Sequence, residues 1–261
     1  MATHEKRAVL ITGGGSGIGL GLAERLLAAG HRVLVTGRSP GRLTAAADRL
    51  PGLEIFVNDI ANPEGRQRLA DHVVQVMPEL DVLINNAGVQ RRVGIASDRS
   101  PWAESQNEID ILFAAPVHLG RLLVPYMLAH GRPGVLVNVT SGGAFFPQPF
   151  APLYSAAKAA LHSYTVNLRH ALRTTPVRVV ELIPPAVSTA LAGPGQAHGA
   201  DLDEFCDTVF PLLDGSHSEV GFGPTATPGF TAQRATEQNA FEAMSSRFDV
   251  PVYQPHVLVP E

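Results

Sequence analysis

A tyrosine and a lysine stand four residues apart in Tyr154-Ser-Ala-Ala-Lys158. The surrounding pattern predicts a helix, on which residues four apart share one face, so the phenol and the ammonium can flank one ligand. A phenol with a pKa near ~10 is a poor acid or base at neutral pH, but a fixed cation stabilises its phenolate. Ser141 precedes them at the predicted carboxyl end of a strand, where its hydroxyl can bind a substrate oxygen. Together these residues favour proton transfer, although singly each is common in packing or at a solvated helix surface.

A glycine-rich segment, Thr12-Gly13-Gly14-Gly15-Ser16-Gly17-Ile18-Gly19, connects the first predicted strand to the first predicted helix. Glycines at this junction let the backbone approach a pyrophosphate at the positive N-terminus of a helix. A glycine cluster alone could equally form a structural turn, and its spacing differs from the common GxGxxG order. Its position between strand and helix nevertheless favours a dinucleotide site.

The end of the second predicted strand indicates which dinucleotide is preferred. A carboxylate there favours NAD, whereas a nearby arginine accommodates the extra phosphate of NADP. The sequence reads Thr36-Gly37-Arg38-Ser39, with no acid and with the planar donor fork of Arg38. We therefore expect NADP, with NAD as the alternative if Arg38 is only a solvated charge; Arg42 is a weaker second candidate.

A fold must hold these residues in place, and the sequence pattern indicates which one. Short β-branched runs alternate with longer helical patterns along the chain. Such repeated strand–helix units predict an α/β fold of the Rossmann type, a doubly wound parallel sheet of about seven strands with helices on both faces. The predicted strands are 8–12, 31–36, 53–57, 81–84, 134–140, 177–183 and 219–222.

The predicted organisation is a single dinucleotide-binding and catalytic domain covering 1–261. After Ile183 the alternation breaks up, and Ala190-Leu-Ala-Gly-Pro-Gly-Gln-Ala-His-Gly199 is too rich in glycine to be rigid. We predict a substrate loop or lid near 186–215.

Composition excludes several classes of function. The net charge is only −4 and the basic residues are scattered, which predicts no nucleic-acid partner. The chain has one cysteine, Cys206, and opens without an apolar signal stretch, which predicts a cytoplasmic location. Glycine, proline or charge breaks every apolar run below the ~18 residues of a membrane span, so no membrane association is expected.

The order and spacing of four features resemble the short-chain dehydrogenase/reductase family. They are TGGGSGIG at 12–19, NNAG at 85–88, Ser141, and YSAAK at 154–158. The resemblance runs from about Lys6 to Thr189 and is weaker beyond. It implies an NAD(P)-dependent oxidoreductase that interconverts a small-molecule carbonyl and an alcohol, and that forms a homodimer or homotetramer.

The resemblance also implies a role for each matching residue. Tyr154 is the proton donor or acceptor, Lys158 binds the nicotinamide ribose and tunes the tyrosine, and Ser141 positions the reacting oxygen. Pro185 replaces a glycine usual in the family. The implied cofactor-binding residues are Thr12, Gly13, Ser16, Gly17, Ile18, Gly19, Arg38, Asp59, Ile60, Asn85, Ala87, Gly88, Tyr154, Lys158, Pro184, Val187 and Thr189.

One position departs from the family pattern. Many members carry an asparagine that holds a proton-relaying water, and the alignment places Leu112 there. At ~100° per residue, Asp110 and Asn107 point away from the position of Leu112, so neither replaces the asparagine without a local irregularity. Either the relay takes another route or turnover is slow, and a non-redox lyase, isomerase or cofactor-sensing protein stays open as the alternative.

At the substrate end, Phe145 follows Ser141 closely and is predicted to contact the substrate, although packing beneath the next helix is an equal alternative. Arg91 and Arg92 could meet an acidic substrate, but a solvated pair is favoured. The histidines on predicted helices, including His162, lack metal-ligand partners at useful spacing, so no metal is expected.

Overall fold

The computed structural model describes residues 6–192 and 199–254, and it contains one sheet of seven parallel strands. The order of the strands is β3-β2-β1-β4-β5-β6-β7. The predicted fold class and number of strands are therefore confirmed. The strands are β1 Ala8–Thr12, β2 Arg32–Gly37, β3 Glu54–Val57, β4 Leu80–Asn85, β5 Gly134–Val139, β6 Val177–Ile183 and β7 Glu219–Gly221.

Helices alternate with these strands along the chain. They are α1 Gly17–Ala28, α2 Pro40–Arg49, α3 Pro63–Val76, α4 Trp102–Ile109, α5 Ala115–Ala129, α6 Pro152–Ala171, α7 Leu202–Leu213 and α8 Pro228–Ser245.

The chain reverses its direction of winding between β1 and β4. β1 pairs with β2 on one side and with β4 on the other, so β2 and β3 extend the sheet one way while β4 to β7 extend it the other way. In open α/β sheets, the crevice outside the carboxyl ends of the strands at such a switch point binds ligands. The glycine-rich turn and the loop after β4 both lie at this point.

Alternate strand residues face opposite sides of the sheet, and each side has its own core. Val9 and Ile11 of β1 pack with α1, α2 and α7, whereas Ala8 and Leu10 pack with α3, α5 and the far end of α6. Because both faces are covered, the strands are apolar along most of their length, as expected of a parallel sheet.

The pattern from about Pro101 to Ala129 predicts one long helix, and in the structure this helix has an irregular middle. α4 and α5 are joined by one turn of π-helix at Asp110–Ala114. The combined stretch Trp102–Ala129 is long and apolar enough to cross a membrane by length and composition alone. However, 56% of its most apolar window is buried inside the protein, and the core helix of a globular fold meets the same criterion. It is therefore weak evidence for a membrane span.

The second half of the predicted substrate loop or lid near 186–215 is mostly a helix, as its helical pattern predicts. Leu202–Leu213 form α7, whose Phe205, Cys206 and Val209 are fully buried against α1 and the sheet. These buried side chains fix the helix to the core. Residues 193–198, in the first half of the predicted lid, lie outside the described part of the chain.

Candidate active site

A single cavity of about 660 Å³ runs along the carboxyl ends of the strands. It begins at the glycine-rich turn, passes the end of β2 and the loop after β4, and reaches Ser141, Tyr154 and Lys158. Its other wall is formed by 184–187 and 189–191. The cavity thus connects the predicted cofactor residues with the predicted catalytic residues.

The glycine-rich turn is shaped by two close approaches. Gly13 has φ of +67°, and a Cβ on it would lie 2.6 Å from the Cα of Ala87. Gly13 N–H also donates to the carbonyl of Thr36 at 2.8 Å, which fixes the turn against β2. Only glycine tolerates both this conformation and this contact.

The first turn of α1 opens on the cavity. Ser16 precedes the helix and its side chain makes no capping hydrogen bond, while Gly13, Gly15 and Gly17 line the cavity. Free backbone N–H groups at a helix N-terminus suit an anionic ligand. These residues therefore fit the pyrophosphate of a dinucleotide.

Three predicted cofactor residues, Thr12, Gly19 and Asn85, support the turn from behind and are not among the residues that line the cavity. Thr12 accepts hydrogen bonds from the backbone N–H groups of Asn86 and Ala87. A Cβ on Gly19 would lie 2.5 Å from the side-chain nitrogen of Asn86. Asn85 is buried and donates to Asn138 at 2.9 Å, so it does not reach a ligand.

The neighbouring Asn86 lines the cavity instead, and the sequence prediction missed it. Its side-chain amide donates to the carbonyls of Thr12 and Gly13 at 3.0 and 3.2 Å. Side chains alternate along a strand, so one of two adjacent asparagines must face inward. Only the pairing of Asn85 with Asn138 in the sheet register shows which one.

The ends of β2 and β3 form the far end of the cavity. Arg38 is exposed there beside Arg42, and Asp59 and Ile60 line the same region. The carboxylate of Asp59 accepts from the backbone N–H of Ala61 at 3.0 Å, which orients the loop after β3. Two guanidinium groups make this end of the cavity positive.

Tyr154 lies in the first turn of α6 and is 6% exposed. Burial raises the pKa of its phenol, a hydrogen bond with Ser141 opposes the rise, and the carboxylate of Glu108 adds to it. The tyrosine is thus a protonated phenol at neutral pH that shares a hydrogen bond with the predicted serine.

Lys158 follows one turn later on the same face, as its spacing predicts. Its ammonium donates to the carbonyl of Val139 at 2.6 Å and lies 5.8 Å from the centre of the Tyr154 ring. Burial lowers the pKa of Lys158 to about 8, with the carboxylate of Glu181 acting in the opposite direction. The structure therefore brings Ser141, Tyr154 and Lys158 together on one cavity wall.

Ser141 begins a short 3₁₀ turn at Gly142–Ala144, and its oxygen accepts from the N–H of Gly143 at 3.0 Å. This turn carries Phe145 away from the cavity. The Phe145 ring packs edge-on against His162 and Phe230 and lies 4.5 Å from the guanidinium of Arg234. The predicted substrate contact of Phe145 is therefore wrong, because packing beneath the helices, the stated alternative, takes its place.

Other residues occupy the substrate end beside the catalytic wall. Gln90 and Gln148 line it and are hydrogen-bonded to each other at 3.2 Å. Arg92 also lines the cavity, with its guanidinium 4.8 Å above the ring of Phe150. Arg91 turns away and forms ion pairs with Asp98 and Glu104.

The segment after β6 closes the opposite wall. Pro184, Pro185 and Val187 line the cavity, and Val187 forms a bridge with Ala200. A Cβ on Gly17 would lie 3.3 Å from the methyl group of Thr189, so this segment approaches the glycine-rich turn directly.

Leu112, which stands at the position of the family asparagine, lies in the π-helical turn. Leu112 is fully buried and packs with Ala151, Tyr154 and Ala157 beneath the active site. Asp110 accepts from Gln106 at the surface, so it does not take the place of the family asparagine.

A buried carboxylate, Glu108, lies one turn before Leu112, and the sequence prediction did not single it out. Glu108 is 1% exposed and accepts from the backbone N–H of Arg91 at 3.2 Å. Burial raises the pKa of this carboxyl, with the Arg91 N–H and guanidinium opposing the rise. It lies close enough to raise the pKa of Tyr154.

A second cluster of titratable groups lies behind the catalytic wall. Ligand atoms of His162, Glu181 and Glu219 all lie within 4.8 Å of one another, a grouping that could hold a metal ion. The guanidinium of Arg234 donates to Glu219 at 3.1 Å and lies 2.9 Å from His162 Nε2. An arginine therefore supplies the positive charge that a metal ion would otherwise bring.

The chain is similar to known proteins over most of its length. The family described as short chain dehydrogenase matches residues 7–198. A similar protein, an uncharacterized oxidoreductase named DltE from Bacillus subtilis (strain 168), is 43% identical over 183 residues, which cover 70% of this chain and 72% of the relative. A 1-deoxy-11-beta-hydroxypentalenate dehydrogenase from Streptomyces avermitilis is 36% identical over 215 residues, which cover 78% of this chain and 80% of the relative.

A solved structure shares the whole fold. It is a short chain dehydrogenase from Burkholderia cenocepacia J2315 in complex with NADP, with a TM-score of 0.74 and 28% sequence identity. The match covers 95% of this chain and 99% of that chain. The likeness therefore extends beyond the segment that the family match covers.

Proposed function

This chain belongs to the short-chain dehydrogenase family of oxidoreductases, and from that premise we propose that it interconverts a carbonyl and an alcohol with NADP, using Tyr154 as the general acid and base. The observation that carries the proposal is the meeting of Ser141, Tyr154 and Lys158 on the wall of the cavity that begins at the glycine-rich turn. The small-molecule substrate enters beside Gln90 and Gln148.

In this proposal the glycine-rich turn and the N-terminus of α1 hold the pyrophosphate, and Arg38 holds the additional phosphate of NADP. The bound nicotinamide supplies or accepts the hydride. Asp59, Ala87, Gly88 and Thr189, which line the cavity, contact the rest of the dinucleotide. The solved relative from Burkholderia, which binds NADP, supports this choice of cofactor.

The chain's own residues manage the proton. Because burial raises the pKa of Tyr154, the phenol holds its proton at neutral pH and can donate it to a carbonyl oxygen being reduced. Ser141, which shares a hydrogen bond with that phenol, binds the same oxygen. In the reverse direction, the Lys158 ammonium favours the phenolate that accepts a proton from an alcohol.

A non-redox activity is the second candidate, because Leu112 cannot hold a relay water and is packed against Tyr154. In our proposal, protons instead leave through the cavity mouth. Stopped-flow loss of reduced-cofactor absorbance with a panel of ketones and aldehydes separates the two: cofactor binding without oxidation by any carbonyl would favour the non-redox function.

We propose a cytoplasmic protein that works as one unit over 1–261 and associates as a homodimer or homotetramer, as family resemblance implies. Sedimentation of the purified chain measures the oligomeric state.

The decisive test is Tyr154→Phe, which removes only the phenol oxygen. General acid–base catalysis contributes typically ~10²–10⁴-fold, so kcat should fall by about that factor while the Kd of NADPH changes little. Tyr164→Phe is the matched control, because Tyr164 lies on the same helix but packs against Phe113 instead of lining the cavity. Retained turnover in Tyr154→Phe would remove this residue from the mechanism.

A further inference from the structure

The catalytic face of α6 continues one turn beyond Lys158. Tyr154, Lys158 and His162 follow one another at intervals of four, so their side chains leave the helix on the same side. His162 Nδ1 lies 2.8 Å from a carboxylate oxygen of Glu181, which belongs to β6 and is fully buried. The hydroxyl of Thr140, the residue before Ser141, donates to the other oxygen of Glu181 at 2.7 Å. Glu181 thus connects α6, through His162, with the residues beside Ser141, through Thr140.

The hydrogen bonds fix the tautomer of His162. Arg234 Nη2 lies 2.9 Å from His162 Nε2, and a guanidinium can only donate. Nε2 must therefore be the acceptor, which leaves the proton on Nδ1, where it donates to Glu181. The imidazole is neutral, and it links Arg234 of the C-terminal helix α8 to Glu181 in the sheet.

Three cations lie around Glu181 and His162, namely Arg234, Arg169 and Lys158, and they differ in how their charges are matched. Arg234 forms ion pairs with Glu219 and Glu237, so its charge is already matched. Arg169, on the next turns of α6, donates to the carbonyls of Val179 and Ser218, and the charges of both Glu181 and Glu219 act on it.

Lys158 likewise donates to a neutral carbonyl, that of Val139. Among the described residues, Glu181 is the anion whose charge acts on the Lys158 ammonium. A buried ammonium without a nearby anion would lose its proton much more readily.

We propose that Glu181 is a positioning residue of the active site, which holds Lys158 in its charged form and is itself held by His162 and Thr140, with Arg234 holding His162. This inference rests on the proposed function only for its consequence in catalysis. Phe145 belongs to the same assembly, since its ring contacts both His162 and Arg234. The network therefore also anchors the turn that follows Ser141.

The sequence offers a direct measurement, because Lys6 and Lys158 are its only lysines. Labelling lysine with ¹³C at the ε-carbon gives two NMR signals, of which Lys6 is the internal reference. In the wild-type chain without cofactor, the Lys158 signal should titrate near the pKa of about 8 that burial imposes. In Glu181→Gln, which keeps the shape and removes the charge, the midpoint should move down by about one pH unit or more.

The direction of the shift in Glu181→Gln separates electrostatics from loosening of the fold. Loosening alone would admit water and move the Lys158 midpoint upward, whereas loss of the Glu181 charge moves it downward. Glu79→Gln, which removes a carboxylate paired with Arg32 far from α6, is the control and should leave the midpoint unchanged.

The same shift should appear in catalysis. The alkaline limb of the kcat/KM profile should move to lower pH in Glu181→Gln, and Glu181→Asp should restore it by returning the charge. An unchanged Lys158 midpoint in folded Glu181→Gln, or an upward one, would overturn the inference. Because the NMR titration needs neither cofactor nor substrate, its result stands apart from any failure of the proposed function to show turnover.

Discussion

Individual residues in the site have roles that depend on which partner each one meets. Asn85 and Asn86 are chemically identical neighbours, yet Asn85 is bonded inside the sheet while Asn86 supports the glycine-rich turn. Phe145 shows the same dependence, because an aromatic residue near Ser141 can face the cavity or the protein interior. Its partner Arg234 lies far along the chain, so no local pattern could have indicated the contact.

Glu181 did leave a signal in the sequence. It interrupts the apolar run Val177-Arg-Val-Val-Glu-Leu-Ile183, and a charge inside a buried parallel strand must be paired. The sequence could have predicted that a partner exists, but not that His162 and Thr140 supply it.

The residue-scale prediction concerns Arg38, which lies exposed at the end of the cavity formed by β2. Arg38→Asp should raise the Kd of NADPH about 10- to 100-fold, the equivalent of one charge-assisted hydrogen bond, while the Kd of NADH changes little. Fluorescence titration of both cofactors measures the ratio. Arg99→Asp makes the same change of charge on a distant loop and serves as the control. An unchanged ratio in Arg38→Asp would mean that the end of β2 does not select the cofactor.

At the scale of elements, the regular parts of the fold were predictable and the irregular parts were not. β-branched runs separated by helical periods indicated each strand, because a parallel sheet covered on both faces requires continuous apolar strands. The stretch from Pro101 to Ala129 was predicted as one helix, although Pro116 and Pro125 lie within it. The π-helical turn lies at Asp110–Ala114, and the only local signal of it is Pro116, which has no N–H to donate to the carbonyl of Leu112.

That π-helical turn gives the element-scale prediction. Leu112 lies within it, fully buried against Tyr154. Leu112→Ala should lower the free energy of unfolding by about 3 kcal/mol, since a buried leucine loses both its transfer energy and its packing. Met244→Ala, at a position that is 57% exposed in α8, should change it by less than about 0.5 kcal/mol. Urea denaturation measures both, and equal losses would show that the π-helical turn is not packed as described.

At the scale of the whole molecule, the same burial that builds the two cores shifts two titrations in opposite directions. Lys158 titrates near pH 8 when folded and near 10.5 when unfolded. Cys206, buried beneath Gly21 of α1, has its pKa raised from 9.0 to about 11. Between pH 9 and 10.5 the unfolded chain binds more protons at the lysine and fewer at the cysteine. Stability therefore gains from the first group and loses from the second as pH rises.

Cys206→Ala separates the two effects. At pH 8 the wild-type chain should be more stable than the variant by about 1 kcal/mol, because the smaller side chain leaves a gap against α1. As pH rises to 10.5 that advantage should shrink by about 1–2 kcal/mol, since only the wild-type chain carries a thiol that unfolding lets ionise. Urea midpoints of both proteins at half-unit steps measure the difference. A difference independent of pH would mean that the thiol ionises as readily in the folded protein as in the unfolded chain, and so is not held in the core between α1 and α7.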